Sequence, residues 1–287
     1  MIENFLIKLG SLDRRIIFII IALSVGIPLL YPDLVQLPVI PKKETIQVFQ
    51  EIENLKDNNK VIVSFEYGPS TMPEIHPMAI AVLRHLFSKD ILVYGFALWP
   101  DGNFMSTDAF SEVASEMGKK YDEDYVNLGF KPGGEAVIKG ISSDIRTMYT
   151  VDLLGNEIKD LKLMQEIKNI EDFDYVISLS AGDPGSKQWV QYATDPKKIP
   201  FTTGCTSIQV TDIIPYVENN QIRGILAGMP GAAEYENLVY TKYNQYNFKG
   251  EATGMMSAQS IAHLVIVIFI VFGNITYFLN LIFWHIK

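Results

Sequence analysis

Apolar positions change rhythm twice along this chain. Residues 16–31, IIFIIIALSVGIPLLY, and residues 261–284 are almost unbroken apolar runs; between them the apolar positions come in short groups separated by polar, glycine and proline residues. The first run is short against the roughly 20 residues of a membrane-spanning helix, and the second is long enough. A cleaved leader is the rival reading of the first. Arg14 and Arg15 supply its basic region, but no small-x-small cleavage site follows, and apolar character continues through Val35, Leu37 and Ile40, which favours an uncleaved anchor. The second run ends in Phe283-Trp284-His285 with Tyr277 upstream, as expected of an interfacial aromatic belt.

In the middle, residues 44–55 place Ile46, Val48, Phe49, Ile52 and Leu55 on one helical face. An alternation follows: strands are expected at 60–65, 91–98, 125–128, 174–180, 201–203 and 222–227. Helices are expected between them at 77–87, 107–120 (with Ser106 as cap), 133–140 and 230–246. Short apolar strands alternating with helices imply a mainly parallel sheet covered on both faces, a Rossmann-like or flavodoxin-like α/β fold flanked by one transmembrane helix at each end.

Charge orients this arrangement. Lys8, Arg14, Arg15 and Lys287 abut the outer ends of the two runs, and basic residues beside a span stay inside; Lys42 and Lys43 argue the other way but adjoin a long domain, which weighs little. The expected organisation is a cytoplasmic segment 1–15, a first span 16–31, a linker and amphipathic helix 32–59, an extracytoplasmic domain 60–250, a linker 251–260, a second span 261–284 and a cytoplasmic tail 285–287. Ile2, Phe5, Leu6 and Leu9 stand at helical spacing and suit a segment lying along the inner membrane surface. Asn274, beside Gly273, sits mid-span, where an amide wants a partner; Ser24 and Gly26 of the first run are the candidates to meet it.

The formal net charge is −9, and the 24 Lys and Arg residues are scattered, so nucleic acid is excluded as a partner. The bilayer, further copies of the chain or other membrane proteins, and a small anionic ligand remain. A single cysteine, Cys205, excludes an internal disulfide framework and any multi-cysteine metal site. No metal or cofactor is indicated.

In an open parallel sheet, ligands bind beyond the carboxyl ends of the strands. There the sequence places Glu66, Ser70, Trp99, Asp101, Lys131-Pro132-Gly133-Gly134, Glu135, Asp183, Cys205 and Thr206. Lys131 with Gly133 and Gly134 at a helix start favours an anion, although it matches neither dinucleotide nor phosphate-loop spacing. Ser70, Trp99 and Thr206 are the further candidate ligand contacts. Glu66, Asp101, Glu135 and Asp183 are candidates for acid/base work or for holding a hard cation if they converge; each alone suits a cap or an exposed loop. Cys205 before a helix is a weak nucleophile candidate needing a histidine such as His76, and a small buried thiol is its plainer role. With no catalytic signature, the expectation is a membrane-anchored ligand-binding or assembly subunit. A membrane-bound enzyme acting on an anionic or phosphorylated substrate, or a purely structural oligomeric subunit, is the alternative.

Overall fold

A computed structural model describes residues 13–31 and 38–285. Residues 1–12, Val35, Leu37 and Lys287, on which part of the reading above rests, lie outside the described residues. The chain divides into a domain, Val39–Ala252, and a second unit formed by the terminal segments.

The domain is built on six parallel strands: β1 (Lys60–Glu66), β2 (Leu92–Ala97), β3 (Tyr125–Phe130), β4 (Tyr175–Ser180), β5 (Phe201–Cys205) and β6 (Ile225–Ala227). Their order, β3-β2-β1-β4-β5-β6, is the doubly wound one, and it reverses between β1 and β4. β1 pairs along its length with β2 on one side and β4 on the other, with Val63 opposite both Gly95 and Ile177. Successive β1 side chains point to opposite faces. Ile62 joins a core with Tyr94, Phe96 and Trp189, while Phe65 meets Phe110 on the other face.

Helices fill both faces. After α1 (Arg14–Leu30) in the terminal unit come α2 (Lys43–Glu53), α3 (Met72–Ser88) and α4 (Gly102–Met117); then α5 (Glu135–Ser143), α6 (Ile145–Met148), α7 (Ser186–Trp189), α8 (Asp195–Lys197), α9 (Val210–Glu218), α10 (Gly228–Lys242) and α11 (Glu251–His285). A π turn, Val190–Thr194, joins α7 to α8. α10 packs on α3 and α2, and α4 packs on α3; the other face is closed by α5 to α9 and the irregular stretch 149–173.

Several expected boundaries move, each for a physical reason. α4 begins at Gly102, so Ser106 is not its cap: it is buried inside the helix, donating to the Asn103 carbonyl and accepting from Asn127. The same helix stops at Gly118, whose φ of 66° gives the left-handed C-terminal turn, rather than running to Lys120. α3 starts at Met72 because Pro73 suits a first helical turn, where no backbone donor is needed. α10 ends at Lys242, and residues 244–246 form a separate 3₁₀ turn.

In the terminal unit α11 has 35 residues, and its segment Glu251–Leu279 is long and apolar enough to cross a membrane, with 6% of its apolar window buried. The residues expected to form the linker 251–260 are helical and continuous with it. α1 has 17 residues, an axial rise of about 26 Å. That is less than the roughly 30 Å of a bilayer core, so by length it does not qualify as a span. Ile16, Phe18, Ile19 and Leu23 on it are exposed.

Gly102 passes under β1 with no room for a side chain: a Cβ there would stand 2.3 Å from the Phe65 carbonyl oxygen and 2.5 Å from the Ala97 Cβ. Gly102→Ala is expected to destabilise the domain by about 1–3 kcal/mol through forced backbone shifts. Thermal melting followed by circular dichroism checks this; an unchanged midpoint would show that the approach of α4 to β1 relaxes freely.

Candidate functional site

In a doubly wound sheet, ligands bind where the strand order reverses, which here is at the carboxyl ends of β1 and β4. β1 ends there in Glu66, which is fully buried and sits opposite Ser180 in the register. Its carboxylate accepts from Ser64 two residues back on the same strand face, from Ser178 Oγ at 2.8 Å and from Trp189 Nε1 at 3.1 Å. A hydroxyl chain continues from Ser178 to Ser186 at 3.3 Å and on to Thr203 at 2.6 Å. All these donors are neutral. Burial therefore dominates and pushes the Glu66 carboxyl up to about 7, the three hydrogen bonds holding it from rising further.

Tyr149, from the stretch after α6, borders the same spot. Its ring stands edge-on to Phe96, and its hydroxyl is buried with no hydrogen-bond partner. Burial, and then the Glu66 charge, raise its pKa. Lys131 is half-exposed, its Nζ 6.0 Å from the Tyr149 ring centre. The neighbouring loops interlock. Trp99 Nε1 donates to the Pro184 carbonyl at 2.8 Å and its ring packs against Gly182, while a Cβ at Gly134 would touch Pro184 at 3.4 Å. Gly133 and Gly134 have φ of 133° and 52°, conformations that glycine supplies without strain and that start α5.

The candidate acids separate. Glu135 is exposed and pairs with Lys139 at 3.6 Å; Asp183 is exposed and pairs with Lys187 at 3.5 Å; Asp101 is exposed and lies beside Gly68. Of the four, only Glu66 is buried. Ser70 is exposed and Thr206 is buried. Cys205 is buried, and burial together with the Glu74 charge pushes its thiol up to about 12, so it is protonated at neutral pH. His76 is committed elsewhere, with Nδ1 on Tyr67 OH at 2.9 Å and Nε2 on Asp108 at 3.3 Å. His85 is equally engaged, between Tyr235 and Glu53. Among the described residues no group of three or more His, Cys, Asp or Glu is placed to hold a metal ion. The edge thus offers an acid that titrates near neutrality, hydroxyls, an indole and one lysine.

Ser178, Ser186, Thr203 and Tyr149 were not singled out from the sequence. A signal existed for part of the set: in KVIVSFE and YVISLS, polar residues recur two apart within otherwise apolar buried strands, so they share a face and need internal partners. Tyr149 lies in an irregular stretch with no such period. No family model, no curated protein and no solved structure matches this chain.

The position of Glu66 makes a pH prediction. A carboxyl whose folded pKa exceeds its unfolded value contributes stability that is full below about pH 4.5 and lost as pH rises through about 7. The raise corresponds to about 3 kcal/mol. Gln at this position keeps acceptor and donor capacity without ionising. The stability of Glu66→Gln relative to wild type, from denaturant unfolding at several pH values, is expected to improve across that window; a difference independent of pH would mean that Glu66 ionises freely in the folded chain.

Proposed function

We propose that this protein is a membrane-anchored subunit that binds a ligand or assembles with partners at the membrane surface. The observation that carries the reading is α11, a continuous helix whose segment Glu251–Leu279 is long and apolar enough to cross a membrane and whose most apolar 18 residues are almost wholly unburied. Apolar side chains left facing outward in such a helix are solvated well by lipid and poorly by water. We take α1 as a second, shorter apolar anchor, which a thinner or locally thinned bilayer accommodates. Arg14 and Arg15 then face the cytoplasm, with both termini inside and the domain outside.

Binding or assembly is favoured over catalysis because the candidate acids at the strand ends do not converge and the thiol there is protonated. An enzyme acting on an anionic or phosphorylated substrate is the second reading, and Lys131, whose Nζ stands 6.0 Å from the Tyr149 ring centre, is what favours it. Assembly has its own support. Phe104 in the first turn of α4, Val151 and Leu154 in the stretch after α6, and Ile208 after β5 are exposed large apolar residues. A Cβ at Gly26 or at Gly273 would meet open space, leaving each helix a flat spot where another helix can approach. Asn274 donates to the Ile270 carbonyl of its own helix at 2.9 Å, and we assign its amide oxygen to a neighbouring helix of an oligomer.

Two measurements test this. Because Cys205 is buried, single cysteines placed at exposed Lys120 and at Lys287 report sidedness against a quiet background. A membrane-impermeant maleimide is expected to label position 120 and spare position 287 in intact cells, and the reverse pattern overturns the orientation. Asn274→Leu is expected to weaken the oligomer in mild detergent, read by native mass spectrometry; unchanged size together with unchanged thermal stability removes the role given to Asn274.

A further inference from the structure

We propose that residues 247–252, which join the body of the domain to α11, form a pH-sensitive strap, held closed on α3 and α10 and loosened when the carboxylates around the cavity beside it ionise. Every residue concerned lies in the domain, so the proposal is independent of the anchoring read from the terminal helices.

The strap is pinned at few points. The chain turns back after α10, and the Ala252 N–H donates at 3.1 Å to Glu236, well before the end of that helix at Lys242. Arg84 of α3 supplies the other pins: Nη1 donates to the Lys249 carbonyl at 3.1 Å, and the guanidinium stands 5.0 Å from the Phe248 ring centre. Beside these pins the packing is hollow. Alternate residues of the strap, Asn247, Lys249 and Glu251, line a cavity of about 280 Å³ together with Arg84 and with Glu112 and Glu116 of α4. Glu236 lines it too, so four carboxylates share the cavity with two cations. Its apolar lining comes from Pro77 and Ile80 alone. A segment with few buried apolar contacts opens more readily than the core it covers.

Charge decides when this strap opens. Arg84 keeps Glu116, whose carboxylate accepts from Nε at 2.7 Å, whichever form Glu112 takes. Burial pushes the Glu112 carboxyl up, Arg84 pulls it down, and Glu251, Glu116 and Asp108 push it up again. Glu251, the first of those like charges, is on the strap. The net rise means that the closed form holds the Glu112 proton more tightly than the open one. The stability this contributes is full below the ordinary value of 4.5 and is lost as pH rises through the folded one. The other charged and titratable groups here are His76 on α3, Glu236 and Tyr240 on α10, and Lys249 on the strap. Burial holds His76 down, which works in the opposite sense; the charges that act on it are Asp108 and Glu251, so Glu112→Gln isolates the effect of Glu112.

Hydrogen–deuterium exchange of the full chain in detergent reads the strap directly. Amide exchange in 247–252, divided by its intrinsic rate at each pH and referred to β1, is expected to be about two- to fivefold faster at pH 8 than at pH 5, the size of effect that a half-exposed charge pair produces. Glu112→Gln and Glu251→Gln are each expected to abolish that rise and keep the strap protected at pH 8. Both side chains are exposed, so these variants fold. Arg84→Lys keeps the charge but gives up the planar fork, and is expected to speed strap exchange at both pH values. Where β1 exchange in Arg84→Lys rises equally, the whole fold has opened and the glutamine variants decide. Equal exchange at pH 5 and pH 8 in the wild type, a rise that survives in either glutamine variant, or strap exchange that Arg84→Lys leaves unchanged overturns the proposal.

Discussion

A strand hydrogen-bonded on both sides and covered on both faces cannot turn a polar side chain toward water. β1 is such a strand, and it carries Ser64 and Glu66 inward on one face. Every nearby choice follows from that constraint. Burying a carboxyl without partners costs several kcal/mol, so the neighbouring strand presents Ser178, the helix after it presents Trp189, and Ser186 and Thr203 extend the chain of hydroxyls. The indole bond to Glu66 fixes how α7 leaves β4. Trp99 does the same for the adjacent loop from the opposite direction, through the Pro184 carbonyl.

The other face buries charge in a different way. Arg84 is 6% exposed, yet its guanidinium meets Glu116, Glu112, Tyr240 and the Lys249 carbonyl, with the rings of Tyr240 and Phe248 against it. Nearby, Glu53 gathers His85, Lys242 and Tyr243, and the hydrogen bond from His85 is the largest cause holding its carboxyl down at about 2. Opposite charges and donors stabilise the ionised forms there. Glu66 has only neutral hydrogen-bond partners, which is why the partly buried Glu53 stays ionised while the fully buried Glu66 titrates near neutrality.

The strand-helix alternation, the parallel sheet and the apolar ends were legible because each repeats a period: two for strands, 3.6 for helices, none for the long apolar runs. What remained hidden depended on tertiary approach. α4 starts early because glycine at 102 can slide beneath Phe65, a fact about β1 rather than about the sequence of α4. Glu66 looked like one of four interchangeable strand-end acids, since nothing local distinguishes a carboxyl at the last buried rung of a central strand from Glu135 or Asp183, which lie one residue-type pattern away in solvent. Tyr149 was invisible for a further reason: it reaches the strand ends from an aperiodic stretch whose path is set by packing of Ile158, Leu161, Met164 and Ile170 into the core.

The lone buried thiol of Cys205 has a meaning beyond its chemistry. A fold whose stability draws on no covalent cross-link, and whose only sulfhydryl is packed at the end of β5 out of reach of oxidants, has no preferred redox environment. Such a domain holds together with or without an oxidising environment, so its single cysteine does not decide its compartment.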